Sequence, residues 1–258
     1  MDHITSPRGV RVSYDRSGSG PPLVLVHGAF SDHETNWTFV KPKFGETFTV
    51  YAMARRGRGE TAATEGHRLE EEAEDVVALI ESLRVPVFLL GHSYGAHCAL
   101  AAARLVPDRV RRLVLYEAVW PARVTSEAIA RLERLVAAGR WDELAVTFFR
   151  DTLFVPVPEL EALRTTELWS PIVADARASL GDLRALRRYD FDPAPYRALN
   201  VPVLLQVGTE SPRDLYVTDA LAAVLPNARI EALPGQAHEG MTTAPAQYAA
   251  AVTKFLLE

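Results

Sequence analysis

The chain has 258 residues, 48% of them hydrophobic, and a net charge of −5 with both signs interspersed. That is material for one large core, or for one domain with an inserted subdomain, and the acidic balance speaks against nucleic acid as a partner. The lone cysteine, Cys98, excludes an internal disulfide, and no run of about 18 apolar residues suggests a membrane span.

Residues 1–5 lack the basic-then-apolar order of a signal peptide, so the expected setting is cytoplasmic. Residues 10–14 alternate in polarity and predict an early antiparallel strand, followed by a Gly- and Pro-rich turn at 17–22. Residues 23–26 form a continuous apolar run, as in a strand buried on both faces, ending in His27-Gly28-Ala29-Phe30. A further strand is expected at 47–52. After it comes a basic loop, Arg55-Arg56-Gly57-Arg58-Gly59, read as a tight turn with solvated arginines rather than a phosphate site. Residues 69–83 have helical spacing of Val76, Leu79, Ile80 and Leu83. The acids at the start, Glu70, Glu71, Glu72, Glu74 and Asp75, suit a helix N-terminus and are read as a helix face rather than a metal site.

Residues 87–90 predict another buried strand. It runs into Gly91-His92-Ser93-Tyr94-Gly95 and then an alanine-rich segment of helical composition, 96–105. A serine flanked two residues away by glycines, at a strand-to-helix turn, is held in a strained conformation with its Oγ lifted clear of the sheet. The N–H of Tyr94 then sits at a helix N-terminus, where partial positive charge can meet an oxyanion. Cys98, on the same helix, reads as a small core residue. A strand at 112–116 ends at Glu117.

From there the alternation of strand and helix breaks. Residues 122–198 show only helical patterns, at 126–138, 141–150, 158–168 and 171–186, with Ser126 and Asp142 in N-cap regions and Gly139 and Gly181 as stops or kinks. The segment carries Trp141, Phe148, Phe149, Phe154 and Trp169. Most are expected in a shared core; one or two facing the serine would be enough to line a pocket. The sheet resumes at 201–208, then a helix at 215–225, a last strand at 228–233, the loop Pro234-Gly235-Gln236-Ala237-His238-Glu239-Gly240 and a terminal helix at 245–257. The expected division is a core domain of residues 1–121 and 199–258 and a helical cap of residues 122–198.

Together His27-Gly28 after a buried strand, the Gly57-x-Gly59 loop, the Gly91–Gly95 serine turn, the helical insertion and Pro234-Gly235-x-x-His238 resemble the α/β-hydrolase superfamily, over essentially the whole chain. The resemblance implies a mostly parallel eight-stranded sheet flanked by helices, with a cap inserted after the sixth strand. It implies Ser93 as nucleophile and His238, in the loop after the last strand, as its base; His27 is usually structural in the family. The pair of backbone N–H donors on Ala29 and Tyr94 follows from the resemblance too. Two departures stand out. Ala54 replaces an aspartate common in relatives, and Ser211 stands where many carry the triad aspartate. Glu117 and Glu210 remain as candidates for the acid; Glu117 is favoured because some relatives place a glutamate at the end of that strand. Phe30, Trp120, Met241 and the ring of Tyr94 are candidates to line an apolar substrate pocket. The implied activity is cofactor-free hydrolysis of a carboxylic ester or lactone of a mostly apolar small molecule. Alternatives are a C–C bond hydrolase or thioesterase on the same residues, or a non-catalytic ligand binder. A serine at 93 argues against dehalogenation, which uses an aspartate there. No metal motif is visible, and oligomeric state is left open.

Overall fold

A computed structural model describes residues 1–258. In chain order its elements are β1 (Asp2–Thr5), β2 (Arg11–Gly18), β3 (Pro22–Val26), α1 (Lys41–Gly45), β4 (Thr49–Met53), α2 (Leu69–Ser82), β5 (Val87–His92), α3 (Tyr94–Leu105) and β6 (Val110–Tyr116). There follow α4 (Ser126–Ala137), α5 (Trp141–Thr147), α6 (Val157–Arg164), α7 (Trp169–Arg188), β7 (Val203–Gly208), α8 (Thr218–Ala222), β8 (Ala228–Leu233), α9 (Gly240–Thr243) and α10 (Pro245–Leu257).

The eight strands form one sheet in the order β1-β2-β4-β3-β5-β6-β7-β8. Pairing is antiparallel for β1–β2 and β2–β4 and parallel elsewhere. The side-chain period of two divides each strand between two cores. Val24 and Val26 of β3 join a 52-residue cluster with α2, α3 and the helices of 126–188, whereas Leu23 and Leu25 join a 20-residue cluster with Phe44 of α1 and Phe255 of α10. No helix is long and apolar enough to cross a membrane.

Everything regular between β6 and β7 is helical. Here local signals were partly misleading. Thr125, not Ser126, caps α4, its Oγ1 accepting from Ala128 N–H at 3.1 Å. Asp142 lies inside the first turn of α5, where it accepts from Trp169 Nε1 at 2.7 Å. Gly139 ends α4 at φ 67° as expected. Gly181 does not stop α7, which continues to Arg188. Residues 148–152 form a π-helical turn rather than a continuation of α5.

The largest correction concerns the basic loop. Arg55, Arg56 and Arg58 are 0%, 3% and 3% exposed, not solvated. Arg55 reaches Glu72 of α2 and Asp182 of α7, both at 2.7 Å; Arg56 reaches Asp75 at 2.7 Å; Arg58 reaches Asp182 at 2.8 Å and Asp175 at 3.0 Å. The acids Glu72 and Asp75 are therefore buried partners rather than an open helix face. Charges removed from water persist when paired and hydrogen-bonded, and α7 supplies the cover that makes the pairing possible.

Candidate active site

Parallel strands bring their carboxyl ends to one edge of a sheet, and loops from β3, β5, β6, β7 and β8 meet there. Ser93 N–H donates to Tyr116 O at 2.8 Å, which fixes the ends of β5 and β6 side by side. Ser93 sits at φ 54° and ψ −119°, outside the regions open to most L-residues. The glycines around it are required by contact. A Cβ on Gly91 would lie 2.5 Å from Gly95 O, and one on Gly95 would lie 2.3 Å from the carbonyl oxygens of Val26 and His27.

Glu117 follows β6, also at positive φ (50°), and is 1% exposed. Its Oε1 accepts from Gly208 N–H at 2.8 Å and its Oε2 accepts from His238 Nδ1 at 2.8 Å. Tyr216 stacks on the His238 ring at 5.8 Å, with its hydroxyl 3.3 Å from Nδ1. The polar contacts of the imidazole are all at Nδ1, so Nε2 is the free nitrogen; no hydrogen bond joins it to Ser93 Oγ. Such bonds often close only when substrate is bound. Glu210 is exposed and accepts from Thr209 Oγ1, and exposed Asp214 pairs with Arg123, so neither meets His238.

Electrostatics separates the histidines. Burial pushes His27 and His92 well below the ordinary imidazole value and His97 down to about 4. Burial acts the same way on His238, but the hydrogen bond and charge of Glu117, helped by Glu239 and Glu159, outweigh it and the net shift is upward. His92 is engaged by Asn36 Oδ1 and His238 O, each at 3.1 Å, and His27 by Gly28 O at 2.8 Å.

A small cavity of about 10 Å³ lies against Ser93, Ala29 and Tyr94. Its other walls are apolar apart from Thr152 and include Val119 and Val124 after β6, Phe148 of the π turn, and Leu183 and Leu186 of α7. Ala29 N–H has no acceptor within the chain, and Tyr94 N–H, first in α3, has no carbonyl four residues back to bond. Of the residues expected to line a pocket, Tyr94 does so and three do not. Phe30 stacks on Phe148 at 4.1 Å, Trp120 packs edge-on against Phe191 at 5.5 Å, and Met241 belongs to the core on the other face of the sheet. Phe148 of the insertion lines the same cavity as Ser93, whereas Phe154 is 59% exposed.

Three groups of side chains come close enough to share an ion: His92, His238 and Glu239; Asp15, His33 and Glu34; and His67, Glu72 and Asp182. In the last, Arg55 and Arg58 already stand against the acids. The first shares His238 with Glu117.

The model of the Alpha/beta hydrolase family matches residues 23–251. The chain belongs to the alpha/beta hydrolase family. This hydrolase is 29% identical over 277 residues to 2-(acetamidomethylene)succinate hydrolase of Mesorhizobium japonicum, covering 99% of the chain and 96% of the relative. It is 43% identical over 116 residues to pyrrolizixenacetamide deacetylase of Xenorhabdus hominickii, a match that covers 44% of the chain and 43% of that protein. Among solved structures, an alpha/beta hydrolase from Sphaerobacter thermophilus is similar at 30% identity and a TM-score of 0.82, over 98% of this chain and 99% of that one.

Sequence reasoning missed Tyr216 against the imidazole and the leucines of α7 against the cavity. Tyr216 had no signal, because it acts through a ring stack across a loop. The α7 leucines had helical spacing, but spacing does not say which helix covers which edge.

Proposed function

We propose that this hydrolase cleaves a carboxylic ester or lactone with a small apolar acyl portion, through an acyl-enzyme on Ser93. As Ser93 Oγ attacks the carbonyl carbon, its proton passes to His238 Nε2. The oxyanion is held by the N–H groups of Ala29 and Tyr94. Collapse expels the alkoxide, which takes the proton from His238. His238 then deprotonates a water that attacks the acyl carbon, and the second collapse releases the acid and returns the proton to Ser93. Glu117 keeps the ring proton at Nδ1 and stabilises the imidazolium formed in each step.

The observation that carries the reading is the bond of 2.8 Å between buried Glu117 and His238 Nδ1, which leaves Nε2 as the base. The apolar cavity beside Ser93 supports a small, uncharged acyl group. A second reading, cleavage of an acetamide at the same site, is favoured by the names of two relatives, a deacetylase and an (acetamidomethylene)succinate hydrolase.

The test is a substrate panel of p-nitrophenyl acetate, a small lactone, an aryl acetamide and an acyl thioester, with product analysis. Ester or lactone turnover that falls about 10⁴–10⁶-fold in Ser93→Ala is expected. Turnover of the amide alone would replace the first reading with the second. Ester turnover untouched in Ser93→Ala would reject both.

A further inference from the structure

The cavity beside Ser93, about 10 Å³, has room for about one water molecule. Its walls come in part from the helices between β6 and β7, through Phe148, Leu183 and Leu186. Those helices do more than cover it. Two of their side chains accept hydrogen bonds from the backbones of the two loops that hold the proposed machinery.

On α6, Glu159 Oε2 accepts from Ala237 N–H and Oε1 from Glu239 N–H, each at 2.9 Å. These are the residues on either side of His238. On α7, the buried Ser179 Oγ accepts from Phe30 N–H at 2.6 Å, one residue beyond Ala29. Ser179 is itself fixed, donating to Asp175 Oδ2 at 2.6 Å and accepting from Arg58 at 3.0 Å. The Gly28 carbonyl, on the other side of Ala29, is held at 2.9 Å by Arg55, whose carboxylate partner Asp182 is again on α7. Phe30 stands at φ 57°, a conformation that costs about 1–3 kcal/mol and persists only where its surroundings hold it.

Resting on the hydrolase reading above, we propose that Glu159 and Ser179 are positioning residues through which the covering helices set the His238 loop and the Ala29 loop, so that acyl transfer proceeds only with those helices seated. When α6 lifts, Ala237 and Glu239 lose their shared acceptor and the imidazole is no longer fixed over the serine. When α7 lifts, Phe30 N–H loses Ser179 and the turn that aims Ala29 N–H is released. Misplacing a reacting group by about 1 Å costs on the order of 10²-fold in rate.

The test compares Glu159→Ala and Ser179→Ala with the parent chain on p-nitrophenyl acetate. Active sites are counted in each by fluorophosphonate labelling of Ser93 to completion. The expected result is a fall of about 10–100-fold in kcat per counted site, with KM changed by less than about threefold, because the loss is of transition-state alignment rather than ground-state binding. Glu159→Gln, which keeps one acceptor of the two, should fall between parent and alanine variant. A merely structural role lowers the number of counted sites and leaves the rate per site unchanged; that result overturns the proposal. Glu159 is only partly buried, so its variants carry the test even if loss of the buried Ser179 hydroxyl prevents folding. A parent chain that takes no label at Ser93 overturns the hydrolase reading and the positioning role with it. A labelled parent whose variants run at the parental rate per site overturns the positioning role alone.

Discussion

Three non-glycine residues around the Ser93 cavity hold positive φ: Phe30 at 57°, Ser93 at 54° and Glu117 at 50°. Each costs about 1–3 kcal/mol, and each re-aims a group at a strand end. Only the strain at Ser93 was legible, because glycines at 91 and 95 mark it. Glu117 and Glu210 were both admissible on spacing; what separates them is the burial of β6 beside β7, which puts Gly208 N–H and His238 Nδ1 on the two oxygens of Glu117. Glu117→Gln should therefore reduce kcat/KM on a turned-over ester by about 10³–10⁴-fold, by analogy with an aspartate-to-asparagine change in another triad, whereas Glu210→Gln should leave it near parental. The pH profile gives an independent check. His238 must be neutral to act as a base, and its pKa is raised by Glu117, so activity should fall as pH drops through a value above the ordinary 6.5 or so. In Glu117→Gln that limb should move to lower pH, because the group that favours the charged ring is gone. A limb that stays in place would separate Glu117 from the titrating histidine.

At the level of elements, strands and long helices were read to within a few residues, since burial on both faces and helical spacing leave local patterns. The short strand β1, the five-residue α1 and the four-residue α9 went unread, as none is long enough to show a period. The basic loop was misread for a different reason. Arg55 and Arg58 are buried against Asp182, more than 100 residues away on α7, and Arg55 and Arg56 against acids of α2; nothing local to residues 55–59 records that cover. Breaking such a buried pair on one side leaves an uncompensated charge. Asp182→Asn should thus cost about 3–5 kcal/mol, read as a shifted urea midpoint. His67 joins the same cluster, 2.9 Å from Glu72, and despite the opposing effect of burial its pKa is raised to about 10 by Asp182 and Glu72. A raised folded pKa contributes stability that is fully present below the unfolded value, about 6.5, and is lost as pH rises through about 10. The stability difference between parent and His67→Gln should accordingly shrink from pH 6 to pH 10. A constant difference across that range would detach His67 from the cluster's charge balance.

For the molecule as a whole, the alternation of apolar runs and helical segments gave the sheet, and the break after Glu117 gave the helical insertion. Which residues of that insertion face Ser93 was not legible, because helix periodicity does not set how one layer sits on another. The cavity beside Ser93, about 10 Å³, is walled in part by Leu183, Leu186 and Phe148. Removing one wall should change which acyl groups fit. Leu183→Ala should raise the kcat/KM ratio of p-nitrophenyl butyrate to acetate by about 10-fold, the scale set by a methylene or two in an apolar pocket. An unchanged ratio would place the acyl group elsewhere.

The most direct check on the central claim is chemical: the parent chain and Ser93→Ala are each exposed to a fluorophosphonate and weighed by intact-mass spectrometry. The account predicts one phosphonyl group per parent chain, mapped to the peptide containing Ser93, and none on the variant. A parent chain that stays unlabelled, or a variant labelled to the same extent, would contradict it.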